Sequence, residues 1–182
     1  PTVNSVIKKL TKNKVRVNIK SNLPLGCGFG LSGACALATA YSLNKLFILK
    51  KSKKELAFIA HIAEVENNTG LGDIVNQFYG GFLIKFKPSY RFEVKKIPIK
   101  NEIVYYKCFS AIDTKKIIQN KKIKNRINNA GIKALNKIKE LNKKEINLEN
   151  LIRISKEFSI DSGLLNNTKV IKTIKKIEEN KG

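Results

Sequence analysis

Two stretches of the sequence combine residue types that can do chemistry. The first is Ser21-Asn22-Leu23-Pro24-Leu25-Gly26-Cys27-Gly28-Phe29-Gly30-Leu31-Ser32-Gly33, with glycine at 26, 28, 30 and 33. Glycine permits positive φ and lets backbone N–H groups approach a ligand closely. A helix that opens directly after such a turn presents unpaired N–H groups and a partial positive charge. Together these make an anion seat suited to phosphate. Ser32 stands where a hydroxyl could cap that helix or ligate magnesium. The run has one glycine more than the dinucleotide fingerprint, which also needs a distant ribose-binding acid. No lysine precedes Ser32, so it is not a Walker A loop either. A tight turn with close helix packing is the alternative use of the same glycines.

The second stretch is His61-Ile62-Ala63-Glu64-Val65-Glu66-Asn67-Asn68-Thr69-Gly70-Leu71-Gly72-Asp73. His61 and Glu64 are three apart, so on a helix they share a face. Asp73 follows a glycine-containing loop at the mouth of a further helix. One carboxylate can hold Mg²⁺ together with a hydroxyl and substrate phosphates. A second can orient or deprotonate an attacking alcohol. Each residue also has a plain use: Glu64 as a solvated charge, Asp73 as a helix cap, and His61 as a partly buried core residue.

The elements that must position these groups are legible in outline. Val15-Arg16-Val17-Asn18-Ile19 alternates apolar and polar, which predicts a half-buried strand before the glycine-rich turn. Ala34 to Leu46 is rich in alanine and leucine and predicts a buried helix. Ser52 with Glu55 forms a capping box that opens a helix from Lys53 to about Glu66. Asn67 to Gly72 breaks it, and a short helix from Asp73 to Tyr79 ends at Gly80-Gly81. Strands are predicted at Phe82–Phe86, Phe92–Ile97 and Ile103–Phe109. From Asp113 on, apolar residues recur at helical spacing. Asn147 is placed to cap a helix from Leu148 to Phe158, and a last amphipathic helix covers Thr168 to Glu179. The expected core is α/β, with the Ser32–Leu46 helix packed on a sheet that includes Lys14–Lys20 and Phe82–Phe86. A soft boundary falls between Lys100 and Asp113, separating residues 1–100 from a mostly helical 101–182.

The composition bounds the function classes. The chain has 182 residues and 42% hydrophobic content, enough for a real core. No apolar run approaches the ~20 residues of a membrane helix. The opening residues show no secretory pattern. Cys27, Cys35 and Cys108 are scattered and odd in number, which fits a reducing cytoplasm better than a disulfide framework. Lys+Arg is 36 against Asp+Glu 14, a formal charge of +22. That figure raises nucleic acid as a partner. The excess is nearly all lysine, spread along the chain, and arginine, the better reader of phosphates and bases, is scarce. A solvated surface is the expected role. The chain contains no methionine, which fits a removed initiator or a piece of a longer protein.

Taken together, Pro24-x-Gly26-x-Gly28-Phe29-Gly30-x-Ser32-Gly33-Ala34, with Glu64 and Asp73 following, resembles the GHMP kinase superfamily. That family's phosphate motif reads P-x-x-x-G-L-x-S-S-A. Phe29 replaces the usual leucine, and Ser32-Gly33 replaces the usual Ser-Ser or Ser-Ala. These departures, then His61-x-Ala63-Glu64-Val65, Thr69-Gly70-Leu71-Gly72-Asp73 and Gln77-Phe78-Tyr79-Gly80-Gly81, resemble the archaeal pantoate kinase branch. The linked motifs lie within positions 21 to 88, and the rest matches only in length and helical character.

The resemblance implies a ribosomal-S5-domain-2-like N-terminal part and a mostly helical C-terminal part. It also implies ATP-dependent phosphorylation of the primary hydroxyl of pantoate to 4-phosphopantoate, a step of coenzyme A biosynthesis. Pro24, Gly26, Gly28, Phe29, Gly30, Ser32 and Gly33 would wrap the ATP phosphates. Ser32 and Glu64 would hold Mg²⁺, and Asp73 would orient or deprotonate the acceptor hydroxyl. His61, Thr69 and Lys85 would meet the substrate. Lys85 stands where the branch usually has arginine, and Ser89 where it tends to have glycine. The family's leading strands and its third, C-terminal glycine loop have no counterpart here, so the expected fold is incomplete at both ends. A homodimer stays open, and neither membrane nor nucleic acid is an expected partner. The alternatives are another kinase of the superfamily, acting on homoserine, mevalonate or shikimate, or a basic RNA-binding domain. An RNA-binding sheet would need arginine and exposed aromatics on one face, and Tyr105, Tyr106 and Phe109 lack such arginines. A third reading is a catalytically silent remnant that binds a partner.

Overall fold

A computed structural model describes residues 1–70, 72–99, 103–111 and 114–180. The loop residue Leu71 and the expected boundary markers Lys100 and Asp113 lie outside the described residues. The chain divides into two compact units, Pro1–Lys96 with Glu102–Lys116, and Ile97–Asn101 with Ile117–Gly182.

The first unit opens with a helix the sequence reading did not anticipate, α1, Thr2–Leu10. Its Val6 and Leu10 are buried at a four-residue spacing, and Lys8 and Lys9 sit in its last turn, where positive charge suits the helix dipole. The helix predicted from Ala34 is α2, Leu31–Leu46, which starts three residues earlier. The capping box works as predicted: Ser52 Oγ accepts from Glu55 N, and Glu55 Oε2 accepts from Ser52 N at 2.7 Å, opening α3, Lys53–Glu66. Next comes α4, Asp73–Tyr79, which ends at Gly80.

These four helices share one core. Val6 and Leu10 of α1, Ala36, Leu37, Ala40 and Leu43 of α2, and Leu56, Ala57, Ala60 and Ala63 of α3 pack with Ile74, Val75 and Phe92. The alanines explain the closeness. Where alanine replaces a long side chain, α1, α2 and α3 can each approach the other two at short range.

The sheet is smaller than expected. β1, Phe82–Ile84, pairs with β2, Lys95–Ile97, and a 3₁₀ turn at Ser89–Arg91 lies between them. The burial of α2 is therefore helix-on-helix, which corrects the expectation that it packs on a sheet. Residues 14–20 and 103–109 are non-helical but form no ladder. Their alternation is real, yet a strand needs a neighbour to take its backbone N–H and C=O groups. No described segment is aligned to supply one.

The second unit contains α6, Lys121–Glu140, α7, Leu148–Asp161, and α8, Thr168–Glu179, preceded by the short α5, Thr114–Gln119, which bridges the boundary. Asn120, Asn147 and Asn167 each accept a backbone N–H at a helix start. Few described residues of these helices and their turns are buried, chiefly Ala130, Leu151, Ile154 and Ser162. Ion pairs join the helices instead. Lys137 meets Glu157 at 2.5 Å, Lys133 meets Asp161 at 2.7 Å, and Lys156 meets Glu178. Part of the lysine excess thus sits on solvated helix faces, paired with acids of the same unit. No described helix is long and apolar enough to cross a membrane.

Candidate functional site

Residues 21–30 run as a series of turns into α2. The crown of the loop is open: Pro24, Gly26 and Gly28 are exposed, and a Cβ at Gly28 would meet nothing within 4 Å. Gly30 caps α2 in the left-handed region, φ 62, which a glycine adopts without strain. No side chain caps this helix start. The first intrahelical bond is donated by Ala34 N to Gly30 O at 3.0 Å, so the N–H groups just before it are available to a ligand. The same Gly30 carbonyl accepts from Gln77 Nε2 on α4 at 2.8 Å.

The loop is also held from its other side. Phe29 meets Tyr106 edge to face with centroids 5.0 Å apart. Cys27 is disulfide-bonded to Cys108, leaving Cys35 as a free thiol. This corrects the reading of three scattered thiols. A separation of 81 residues gave no sequence signal of the pairing.

At the root of the loop, carboxylates converge. A Cβ at Gly33 would lie 3.1 Å from Glu64 Oε1 and 3.3 Å from Asp73 Cβ. A Cβ at Gly70 would lie 2.5 Å from Glu64 Oε1 and 3.1 Å from Asp73 Oδ2. Glycine is needed at 70 because any side chain there would occupy the space of the Glu64 carboxylate. Asp73, at the opening of α4, is therefore a neighbour of Glu64, and both adjoin the residue after Ser32.

Glu64 is the unusual member. Its side chain is fully buried, and neither carboxylate oxygen has a hydrogen-bond partner among the described residues. His61 Nδ1 lies 3.7 Å from Oε2, too far for a hydrogen bond, and is itself unpartnered. An uncompensated carboxylate in a low-dielectric interior is costly unless a cation or donor meets it. The side chain of His61 does not line an open face. It is 5% exposed and sets its ring edge-on to Phe92, with centroids 6.0 Å apart.

Asp73 and Lys85 complete the charge set. Burial, followed by the charge of Glu64, raises the Asp73 carboxyl above its ordinary range, and Lys85 works against that rise. Burial pushes the Lys85 ammonium down, with Asp73 and Glu64 opposing. Lys85 Nζ donates to Gly72 O at 3.0 Å, directly before Asp73.

A residue that sequence reasoning missed joins the group. Thr2 is 3% exposed, and its Oγ1 lies 2.8 Å from Thr69 Oγ1. Ser32 Oγ donates to Thr2 Oγ1 at 3.3 Å. The helical spacing of Val6 and Leu10 could have announced α1, but nothing in the sequence marks Thr2 itself.

No group of three His, Cys, Asp or Glu side chains converges among the described residues. Two carboxylates, those of Glu64 and Asp73, adjoin Gly33, and the residue before it, Ser32, carries a hydroxyl. That donor set fits Mg²⁺, which keeps several waters and takes the remainder of its shell from one or two carboxylates and phosphate oxygens. The orphaned Glu64 oxygens fit it as well. A groove of about 470 Å³ in the first unit lies elsewhere, between residues 15–21 and the α2 face bearing Leu31, Ala34, Cys35 and Ala38. It is mostly apolar and holds none of the carboxylates.

Residues 2–81 match the GHMP kinases N terminal domain. The chain is 39% identical over 147 residues to the pantoate kinase of Methanocaldococcus jannaschii, covering 80% of this chain and 52% of that protein. It is 31% identical over 153 residues to the pantoate kinase of Methanospirillum hungatei, covering 84% of this chain and 49% of the relative. A galactokinase of Thermotoga neapolitana is 34% identical over 109 residues, 55% of this chain and 31% of that enzyme. The chain thus spans about half the length of the curated pantoate kinases it matches. No solved structure matches it significantly.

Proposed function

Starting from a GHMP kinase N-terminal domain over residues 2–81, we propose that the protein transfers the γ-phosphoryl group of ATP to the primary alcohol of pantoate, giving 4-phosphopantoate. The observation that carries this reading is the buried, unpartnered carboxylate of Glu64 beside Asp73, at the foot of a glycine-rich helix entry. No structural need brings two carboxylates together in a protein interior, and a cationic phosphate complex offsets their repulsion. The choice of pantoate rests on the two relatives that match over at least 80% of this chain.

In this mechanism the backbone N–H groups at the start of α2, with the turn from Gly26 to Gly33, receive the triphosphate. Ser32 and Glu64 would hold Mg²⁺, which when bound would neutralise charge on the phosphate oxygens. His61 backs the Glu64 carboxylate from the core side. Asp73 orients the acceptor hydroxyl and takes its proton as the phosphoryl group moves, its raised pKa making it a better base than a free aspartate. Lys85 supplies positive charge beside Asp73, suited to an acceptor carboxylate. As a point charge it lacks the bidentate fork of arginine.

The test is a fluorescent-nucleotide titration with and without Mg²⁺, followed by an ADP-release assay with pantoate, homoserine, mevalonate and shikimate as acceptors. Mg²⁺-dependent nucleotide binding with turnover on pantoate supports the reading. Binding with turnover on another acceptor reassigns the substrate, and absence of binding in the complete gene product defeats it.

A further inference from the structure

The hydroxyls of buried Thr2 and of half-buried Ser32 and Thr69 form a chain whose direction follows from counting protons. Thr69 Oγ1 gives its single proton to Glu64 O at 3.3 Å. It therefore accepts in its 2.8 Å contact with Thr2 Oγ1, where geometry alone permits either sense. Thr2 thus donates to Thr69 and accepts from Ser32 Oγ at 3.3 Å. Ser32 is left with its proton directed at Thr2 and its lone pairs free. A hydroxyl that ligates a cation needs that arrangement, because a lone pair goes to the ion and the proton must find another acceptor.

We propose that Thr2 is a positioning residue that orients the Ser32 hydroxyl for cation binding and links it, through Thr69, to the backbone of Glu64. The proposal rests on the reading of Ser32 and Glu64 as the Mg²⁺ holders. Three helices contribute: Ser32 comes from α2, Glu64 from α3, and the acceptor between them from α1. The position of α1 is itself fixed. Val6 is fully buried in the core, while Ser5 Oγ and Lys9 Nζ donate to the Glu66 carboxylate at 3.1 Å and 2.8 Å. Thr2 is therefore held where it is by packing and polar contacts independent of the hydroxyl chain.

The experiment titrates Mg²⁺ into a complex of a fluorescent ATP analogue with the complete gene product, as wild type, Thr2→Val and Thr2→Ser. Valine keeps the volume and removes the acceptor. The expected result is unchanged affinity for the metal-free nucleotide and a Mg²⁺ midpoint raised about tenfold in Thr2→Val, the scale of one lost hydrogen bond to a ligating group. Thr2→Ser should restore the wild-type midpoint. An unchanged Mg²⁺ midpoint in Thr2→Val overturns the proposal, and so does an equal loss of affinity with and without Mg²⁺, which marks a merely structural role. If Thr2→Val does not fold, Thr69→Val decides: a raised midpoint supports the chain of hydroxyls, and an unchanged one overturns it. A wild-type protein whose nucleotide binding ignores Mg²⁺ removes the Mg²⁺ assignment itself, and the proposal falls with it. That outcome is read without any variant.

Discussion

Gln77 donates its side-chain amide to the carbonyl of Gly30 at 2.8 Å, across 47 residues of sequence. This bond fastens α4, which carries Asp73 at its opening, to the residue that caps α2. The glycine-rich loop and Asp73 are thereby held in one frame. Gln77→Leu keeps the bulk but loses the donor. It is expected to weaken nucleotide binding about three- to tenfold, the net worth of one such hydrogen bond. Equilibrium titration with a fluorescent nucleotide measures this. Full affinity in the variant would show that the loop needs no tether.

Asp73 and Glu64 should separate by function. Asp73→Asn is expected to keep nucleotide binding and lose phosphoryl transfer by 10²-fold or more, the scale of a general base. An amide can still hydrogen-bond but cannot accept the proton. Glu64→Gln is expected to weaken the Mg²⁺-dependent part of binding. ADP release and nucleotide titration are measured side by side. Equal loss of binding in both variants would contradict the division of roles.

The pH dependence should carry the sign of the Asp73 environment. Burial and Glu64 raise its pKa and Lys85 lowers it. Activity therefore rises with pH through a limb set above the ordinary carboxylate range, since the base must be deprotonated. Lys85→Met removes the one opposing cation, so the limb in kcat/KM for the nucleotide should move to higher pH. Lys85→Arg should leave it near the wild-type position. A limb that moves down in Lys85→Met would refute the coupling.

The Cys27–Cys108 bond closes a loop of 81 residues. On a chain-entropy account that is worth up to about 4.5 kcal/mol, delivered by restricting the unfolded chain. Adding a reductant should lower the thermal midpoint of the wild type. It should leave a Cys27→Ser, Cys108→Ser double variant unmoved. Peptide mapping without reductant checks the pairing directly, and free Cys27 and Cys108 thiols in the untreated protein would remove it.

What could be read from the sequence was what depends on near neighbours. The Ser52–Glu55 box gives the start of α3, because capping is a contact across three residues. The start of α4 at Asp73 was legible from the glycine-containing break just before it, although no side chain caps that helix. Contacts between distant residues stayed hidden. An H-x-x-E pair on a helix reads as surface chemistry. That Glu64 is fully buried follows only once α4 and the Gly70 turn close over it. Val15, Val17 and Ile19 alternate as a strand should, yet a strand is a property of two segments, and the second was never in the pattern. Thr2 is an ordinary threonine until Ser32 and Thr69 arrive beside it.

The separation of Thr2 from Thr69 also sets a clock on synthesis. Their hydrogen bond spans 67 residues. At ordinary translation speeds about 3 to 13 s pass between the emergence of the one and of the other. For most of that interval α1 is without a complete α3, and Val6 and Leu10 lack that part of the core they share. Thr2 is thus made well before the partner that locks it. A nascent chain stalled before residue 69 should expose the α1 face to protease, and one stalled well beyond α4 should not.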